Sequence, residues 1–166
     1  MADGAPEGAT PEVEWLNDAE QQAWRALVTG ISIISRQLNS DLLAAHDLSV
    51  DDYGILAMLS EATDDRLRFG ELANILRVPK AHVTYRFRRL EKQGLVTREV
   101  CETDARGAFA VLTPAGRARI ETAAPSHVAS VRRLVIDNLT AAQLAGLEDA
   151  MRAIVDADSA EAPDRF

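Results

Sequence analysis

Apolar side chains recur at spacings of three and four over residues 15–45, which is the period of one face of an α-helix. The apolar positions are Trp24, Leu27, Ile31, Ile34, Leu38, Leu42 and Ala45. At 1.5 Å per residue the helix would be longer than about 40 Å, which is more than a small domain can cover by itself. The pattern therefore predicts a long first helix that needs a further packing partner.

Residues 48–76 carry two short helical patterns with a strand-like segment between them. Ser49 and Asp52 have the spacing of a capping box and predict the start of a second helix. Residues 66–69 alternate between basic and apolar side chains, as a very short strand does. Gly70 then stands at the predicted start of a helix of about two turns.

Residues 79–112 predict one helix followed by a β-hairpin. Pro79 fits the first turn of a helix, and Gly94 favours the left-handed conformation that ends one. Residues 95–100 and 109–112 are β-type runs on either side of a polar tip. This arrangement is typical of a hairpin.

The C-terminal part of the chain predicts two more helices. Thr113 is a capping residue and Pro114 follows it at the first helical position. Pro125 lies inside the pattern that follows, so we expect a kink or a break there. Thr140 caps the last helix, in which the apolar positions Leu144, Leu147, Met151 and Ile154 form a seam typical of a contact between helices.

Composition places the chain among ordinary globular proteins, with 47% hydrophobic and 27% charged residues in 166. Cys101 is the single cysteine, which excludes an internal disulfide framework. The first residues lack the positive start and apolar run of a secretion signal, and no apolar stretch approaches the roughly 20 residues that cross a bilayer. We therefore expect a cytoplasmic protein without a membrane role.

Positive charge is concentrated in the middle of an acidic chain. The net charge is −8, yet residues 66–106 hold ten Lys and Arg against five Asp and Glu, which is +5 and leaves −13 for the remainder. Salt screens distant charges beyond about 8 Å, so this segment can attract an anion despite the acidic remainder.

The helix that begins near Pro79 separates apolar from basic positions. At about 100° per residue, Val83, Phe87 and Leu90 share one face. The opposite face carries Ala81, Tyr85, Arg88 and Lys92 and, slightly further round, His82 and Arg89. Two short helices, a tight turn and a hairpin describe a winged helix-turn-helix, whose second helix is the one that enters the major groove of DNA.

Candidate DNA contacts follow from this fold, because the start of such a helix reaches base edges and later Lys and Arg hold phosphates. The groove candidates are Lys80, His82, Thr84 and Tyr85. The candidates for the DNA backbone or for guanine are Arg86, Arg88 and Arg89. Arg106, at the hairpin tip, is a candidate for the minor groove, where narrowing strengthens the negative potential.

The predicted fold is mainly α with a small β-hairpin, a winged helix-turn-helix with long N- and C-terminal dimerisation helices. The first and last helices need more cover than the residues between them supply, so we predict a homodimer. Its recognition helices would lie about one DNA turn, roughly 34 Å, apart. The predicted boundaries are a flexible tail over 1–12, a helical dimerisation region over 13–47 and 114–157, a winged lobe over 48–113 and a second tail over 158–166.

Several segments of the chain resemble the MarR (multiple antibiotic resistance regulator) family of bacterial transcription regulators. They are Gly70-Glu71-Leu72-Ala73, Val83-Thr84-Tyr85-Arg86-Phe87-Arg88-Arg89-Leu90-Glu91, Gly94-Leu95-Val96, and Asp104-Ala105-Arg106-Gly107 leading to Val111-Leu112-Thr113-Pro114-Ala115-Gly116. With the matching order of helices, the likeness extends over about residues 15–156. It implies an obligate dimer with interlocked first and last helices and two winged lobes that straddle a pseudo-palindromic operator. It also implies a repressor in which a small molecule, often phenolic or aromatic, binds between lobe and dimer region and weakens DNA binding.

The chain departs from the family pattern at two helix starts. Family members commonly place Ser or Thr at the start of the recognition helix, where this chain has Val78, Pro79 and Ala81. Gly70 also replaces the usual Ser cap of the preceding helix, a change that costs only a few tenths of a kcal/mol.

The other reactive side chains do not form a pattern typical of a metal, cofactor or catalytic site. His46, His82 and His127 lack the spacing of a zinc site, so we expect no metal and no cofactor. A glycine-rich phosphate loop, a serine elbow and an acid–base pair are all missing from the sequence, so we do not expect an enzyme. Trp15 is a candidate for lining a ligand pocket, although aromatic residues on this helix are more often dimer core.

Alternative interpretations of the sequence stay open. The basic face could be only a solvated surface, or it could dock an acidic partner, as in a winged-helix protein–protein interaction module. Cys101 lies beside the wing, so a redox-sensing regulator is a further hypothesis and a structural thiol its alternative.

Overall fold

The structure, a computed structural model, describes residues 13–100 and 108–161 of the chain. Its helices are α1 (Asp18–His46), α2 (Val50–Glu61), α3 (Phe69–Leu76), α4 (Lys80–Lys92), α5 (Pro114–Leu134) and α6 (Ala141–Glu161). Its strands are β1 (Arg66–Arg68), β2 (Val96–Val100) and β3 (Ala108–Leu112), and single 3₁₀ turns lie at Thr63–Asp65 and Ile136–Asn138. The predicted mainly helical, winged helix-turn-helix fold is confirmed.

The chain divides into two compact units at residues 33–34, so α1 begins in one unit and ends in the other. In the first unit, the side-chain oxygen of Asn17 accepts a hydrogen bond from the backbone N–H of Glu20 (3.0 Å). The Glu20 carboxylate accepts one from the N–H of Asn17 in return (2.8 Å). These two bonds start α1 at Asp18, slightly later than the predicted start near Trp15.

In the second unit, α2 begins with the capping box that the sequence predicts. The Ser49 hydroxyl accepts from the N–H of Asp52 (3.1 Å), and the Asp52 carboxylate accepts from the N–H of Ser49 (3.2 Å). Thr140 and Gln143 exchange the same kind of bonds before α6, at 3.3 Å and 2.9 Å. Local hydrogen bonds thus set where both helices start.

The start of α3 differs from the prediction. Phe69, which the sequence pattern placed in a strand, is the first residue of α3 and is buried, and Arg68 rather than Gly70 is the N-cap residue. The backbone N–H of Arg68 donates to the Glu71 carboxylate at 2.9 Å, and that bond secures the helix start. Gly70 lies inside the first turn instead of capping it.

The three strands form one antiparallel sheet in the order β1-β3-β2. β3 pairs with β2 as the predicted hairpin, with Val96 opposite Leu112. Its other edge pairs with β1, where Ala110 lies opposite Leu67. The predicted short strand is therefore the third strand of the sheet, and the hairpin tip, residues 101–107, lies outside the described residues.

One hydrophobic core joins α2, α3, α4, the sheet and the start of α5. Its buried side chains are Leu48, Ile55, Leu56, Leu59, Phe69, Leu72, Ala73, Val83, Phe87, Leu90, Leu95, Val96, Ala110, Leu112, Ile120 and Ala123. Phe69 and Phe87 meet edge to face with ring centroids 4.8 Å apart, a favoured aromatic geometry. Gly94 follows α4 with a positive φ of 72°, as the sequence predicts for a left-handed cap.

Of the kink or break predicted at Pro125, the break does not occur, because α5 is one continuous helix through that residue. An interior proline removes one backbone hydrogen bond, but a helix survives that loss when packing supports it on both sides. Ile120 before Pro125 and Ser130 after it are both buried. These contacts hold α5 together across the proline.

Candidate nucleic-acid interface

The recognition helix α4 is seated in the core by one apolar face. Val83, Phe87 and Leu90 are each 0% exposed, as the 100° spacing predicts. Pro79 is the N-cap residue of α4 rather than part of its first turn. The backbone N–H groups of His82 and Val83 donate to the Pro79 carbonyl oxygen at 2.8 and 3.3 Å, which closes the first turn.

The opposite face of α4 is open to solvent. Tyr85 is 70% exposed. The other exposed residues on this side are Lys80, Ala81, Arg88 and Lys92. Thr84 is half-buried, and its hydroxyl donates a hydrogen bond to the carbonyl oxygen of Lys80 at 2.9 Å within the helix. A cationic and aromatic surface along one helix suits a DNA major groove, which admits a helix between its anionic phosphate backbones.

Two arginines predicted to contact DNA form ion pairs with acids of α2. The Arg86 guanidinium lies 2.9 Å from the Asp51 carboxylate, and its side chain is only 24% exposed. Arg89 lies 3.4 Å from Asp52, whose side chain is 0% exposed. The predicted contacts of Arg86 and Arg89 with the DNA backbone or guanine stay predictions. In the structure both guanidinium groups reach sideways to α2, where the buried Asp52 carboxylate needs a nearby cation.

His82 makes a third connection to the same acids. Its Nε2 lies 3.4 Å from the Asp51 carboxylate, while the ring stays partly exposed. The capping pattern assigned Asp52 to the start of α2 and predicted none of these contacts. The sequence did hold a signal for these contacts. Two adjacent acids in α2 can meet three bases that lie along one side of α4, if the two helices cross.

The sheet adds basic residues that the sequence prediction did not single out. Arg98 lies over the rings of Phe69 and Phe87 at 4.7 and 5.8 Å from their centroids. Arg66 and Arg68 lie 5.2 and 5.1 Å from the centroid of the Phe109 ring. These cation–π contacts join β2 to α3 and α4 and hold Arg66 and Arg68 of β1 against β3. The signal in the sequence for Arg66 and Arg68 was their i, i+2 spacing in a strand.

Two predicted residues near the wing tip, Arg106 and Cys101, lie outside the described residues. Trp15, the candidate ligand-lining residue, is described and is 85% exposed in its own unit. The structure therefore places neither the wing arginine nor the cysteine relative to α4.

A second polar site lies in the second unit, between the end of α1 and α5. A cavity of about 210 Å³ is lined there by Leu38, Asp41, Leu42, Ala44, Ala45, Ser126, His127 and Ser130. Asp41 accepts hydrogen bonds from Ser130 (2.6 Å), Gln37 (3.0 Å) and Arg133 (2.7 Å). The bonds from Ser130 and Gln37, together with the positive charge of Arg133, lower the pKa of Asp41, so it is ionised at pH 7.

His127 lines this cavity with its ring centroid 4.2 Å from that of Tyr53. Burial lowers the pKa of His127, because the charged imidazolium is poorly solvated there. Burial, assisted by the negative charge of Glu61, raises the pKa of Tyr53. Both rings are therefore neutral at pH 7.

Within residues 13–100 and 108–161, no group of three or more His, Cys, Asp or Glu side chains is arranged to hold a metal ion. None of the described helices is long and apolar enough to cross a membrane.

Comparison with known proteins identifies relatives of the chain. A family model described as MarR family matches residues 46–107. The HTH-type transcriptional repressor YetL of Bacillus subtilis (strain 168) is 34% identical over 101 residues, which cover 59% of this chain and 60% of that protein. The match thus spans less than two thirds of this curated relative.

Two solved structures from Streptomyces coelicolor match over nearly their whole length. AbsC, a MarR family transcriptional regulator, is 41% identical with a TM-score of 0.83 and covers 87% of this chain and 97% of its own. Sco3205, a MarR family transcriptional regulator solved in complex with DNA, is 34% identical with a TM-score of 0.85. The match covers 87% of this chain and 91% of the Sco3205 chain. On this identity over almost the full length of two regulators, the chain belongs to the MarR family of transcription regulators, which are not enzymes.

Proposed function

We propose that this protein is a sequence-specific DNA-binding repressor that acts as a homodimer on a pseudo-palindromic operator. The observation that carries the proposal is the division of α4, whose apolar side is fully buried while Tyr85, Arg88 and Lys92 are exposed along the other side. A helix with this division can enter a major groove without unfolding the lobe. The DNA complex of the relative Sco3205 and the repressor name of YetL support the same function.

The proposed base contacts come from the first turns of α4. Lys80, His82, Thr84 and Tyr85 lie there, and the exposed phenol of Tyr85 can donate to a base edge or a phosphate. Arg88 is exposed and has no ion pair among the residues that the structure describes, so we assign it to a phosphate. Arg106 remains a proposed minor-groove contact from the wing.

The homodimer proposal rests on apolar side chains that are exposed at both ends of the chain. On α1, in the first unit, Trp24, Val28 and Ile31 are exposed. On α6, Ile154 and Val155 are exposed as well. Apolar surface repeated at helical spacing indicates a protein partner, and a second copy supplies matching helices. We therefore propose residues 13–47 and 114–157 as the dimerisation region and residues 48–113 as the DNA-binding lobe.

Sedimentation in solution tests the dimer. The chain is expected to sediment with twice the mass of one chain, and Ile31→Glu is expected to shift the equilibrium toward monomer because it places a charge on the apolar surface. A wild-type chain that stays monomeric at micromolar concentration would contradict the dimer.

We propose the cavity between α1 and α5 as the effector site, for a small phenolic or aromatic molecule. Nδ1 of His127 is buried and has no hydrogen-bond partner among the described residues. A neutral imidazole has one nitrogen that accepts a hydrogen bond, and a phenol O–H can donate to it. Phenols and aromatic acids are expected to release the wild-type protein from DNA, and His127→Phe is expected to lose that response. An unchanged response in His127→Phe would remove this cavity from the mechanism.

Selection of genomic DNA fragments tests DNA binding directly. The protein is expected to retain a small set of fragments with a shared inverted repeat. Affinity for the selected duplex should fall roughly 10³- to 10⁵-fold between 50 and 200 mM salt, if six to ten phosphates are contacted. An affinity that ignores salt, or the absence of any retained fragment, would instead favour a module that binds proteins.

A further inference from the structure

The first turn of α2 lies against one side of the recognition helix. Asp51 and Asp52, which we call the acidic pair, are consecutive residues of α2. They meet His82, Arg86 and Arg89, which follow one another at spacings of four and three and so lie along one side of α4. That side lies between the buried and the exposed faces of the helix.

Asp52, the buried member of the acidic pair, is held from within α2. The Asp52 carboxylate is fully buried and accepts a hydrogen bond from the N–H of Ser49 at 3.2 Å. Ser49 Oγ accepts hydrogen bonds from the N–H of Asp52 (3.1 Å) and from the Arg86 guanidinium (3.4 Å). The capping box of α2 is thus continuous with the ion pairs to α4. Removing one member of such a partly buried network leaves another charge without its partner.

The apolar packing below the start of α4 is incomplete. A cavity of about 110 Å³ lies there, lined by Val50, Asp51, Gly54, Ile55, Leu76, Val78, His82 and Val83. Close-packed interiors transmit position from one element to the next, whereas a cavity leaves room for a helix to tilt. Asp51 and His82 both line this space, so the contact between them is placed to set the tilt.

We infer that Asp51 is a positioning residue for DNA recognition, and that Arg86 acts inside the protein, on Asp51, rather than on a phosphate. The inference rests on the proposed function, because it assigns the part that these residues play in DNA binding. Asp51 holds the first two turns of α4 at the angle that presents Lys80 and Tyr85 to the groove. Asp52 and Arg89 form the second, more buried part of the same support.

Loss of the Asp51 charge changes DNA affinity in opposite directions under the two explanations. Asp51 is an exposed acid near the DNA-facing helix, so its loss should strengthen DNA binding if the charge merely repels phosphates. As a positioning residue, Asp51 is instead needed for binding. Asp51→Asn is therefore expected to weaken binding to the selected duplex about three- to tenfold, with a smaller effect on a scrambled duplex of the same length.

The slope of affinity against salt separates positioning from phosphate contact. Each phosphate contact contributes about 0.9 to the slope of log affinity against log salt for duplex DNA. Arg86→Gln is expected to weaken binding while the slope stays that of the wild type. Arg88→Gln, the matched control on the exposed face, is expected to lower the slope by about 1.8, because the proposed dimer carries two copies of Arg88. Arg86→Gln should also have little further effect when it is added to Asp51→Asn.

The experiment measures binding of the selected and the scrambled duplex by fluorescence anisotropy at several salt concentrations. Affinities are referred to the active fraction found by stoichiometric titration, and thermal unfolding of each variant is recorded, so a loss of folded protein is not counted as a loss of affinity. Asp51→Glu keeps the carboxylate and is expected to recover most of the wild-type affinity and selectivity.

Two results would overturn the inference. One is an Asp51→Asn variant that binds the selected duplex as tightly as the wild type or more tightly. The other is a drop of about 1.8 in the salt slope of Arg86→Gln, one contact from each protomer of the proposed dimer, which would make Arg86 a phosphate contact. Either result leaves the proposed DNA binding in place, whereas a wild-type protein that selects no duplex removes the proposed function itself.

Discussion

Gly116 marks the closest approach between α5 and the hairpin, and its replacement by alanine has a calculable cost. A Cβ at this position would lie 2.0 Å from the carbonyl oxygen of Leu95 and 2.7 Å from Cδ1 of Leu112. The Leu112 side chain can rotate away, but the Leu95 carbonyl belongs to the backbone and accepts a hydrogen bond from the N–H of Thr113 at 3.1 Å. The backbone at the base of the hairpin therefore has to move.

Overpacking of this kind costs about 1–3 kcal/mol and more when backbone must shift, while alanine recovers up to about 1 kcal/mol of helix propensity over glycine. We expect Gly116→Ala to lower the free energy of unfolding by about 2 kcal/mol. For a chain of this size that corresponds to a fall of about 4–8 °C in Tm. The assay is thermal and urea unfolding followed by circular dichroism at one fixed protein concentration, since an oligomer's Tm depends on concentration.

Gly70→Ala is the matched control. Gly70 lies in the first turn of α3, and a Cβ there would meet no atom within 4 Å. The same substitution should therefore be neutral or slightly stabilising at Gly70 and destabilising at Gly116. Equal stabilities for Gly116→Ala and the wild type would refute the close approach of α5 to the hairpin.

Three further outcomes can be checked by unfolding measurements. Phe87→Ala should cost about 3–5 kcal/mol because the ring is fully buried against Phe69, and an unchanged urea midpoint would contradict that burial. Ser49→Ala should cost about 1–2 kcal/mol because the hydroxyl caps α2, and a variant as stable as the wild type would show that this cap adds nothing. Burial lowers the folded-state pKa of His127, so the unfolded chain binds the extra proton first and stability should fall as pH drops below about 6.5. His127→Gln should lessen that fall in Tm on the acid side, and an identical pH dependence in the variant would rule His127 out as its source.

The pairing of charges explains how an acidic chain can present a cationic helix. Part of the positive charge of α4 is neutralised internally by Asp51 and Asp52. Lys80, Arg88 and Lys92 have no ion pair among the described residues and are exposed. The outward positive charge is therefore concentrated on one strip of α4. The acids of α2 are paired elsewhere and do not neutralise it.

Much of the fold was predictable from the sequence, because it depends on residues close together in the chain. The Ser49 and Asp52 capping box joins residues three apart, and the buried face of α4 follows from the spacing of Val83, Phe87 and Leu90. The hairpin was predictable for the same reason, since two β-type runs flank one polar tip. At Pro125 the local pattern left a kink or a break open, and the structure excludes the break.

The candidate site was predictable only in part. A helical pattern places Tyr85 and Arg88 opposite the core, but it does not say which neighbouring helix stands beside Arg86. The contact of Arg86 with Asp51 depends on how α2 and α4 cross, and the two residues are far apart in sequence. The predicted wing contact of Arg106 stays a prediction, because it lies outside the described residues.

The sequence by itself determined which segments become helices and strands, where most of them start, and which side of each is apolar, because these follow from hydrogen bonds and spacings within a few residues. The tertiary structure decided the partners across elements: β1 on the free edge of β3, His127 against Tyr53, and the acids of α2 against the arginines of α4. Those contacts depend on the relative placement of whole helices and strands, which the joint packing of the core settles and no local pattern encodes.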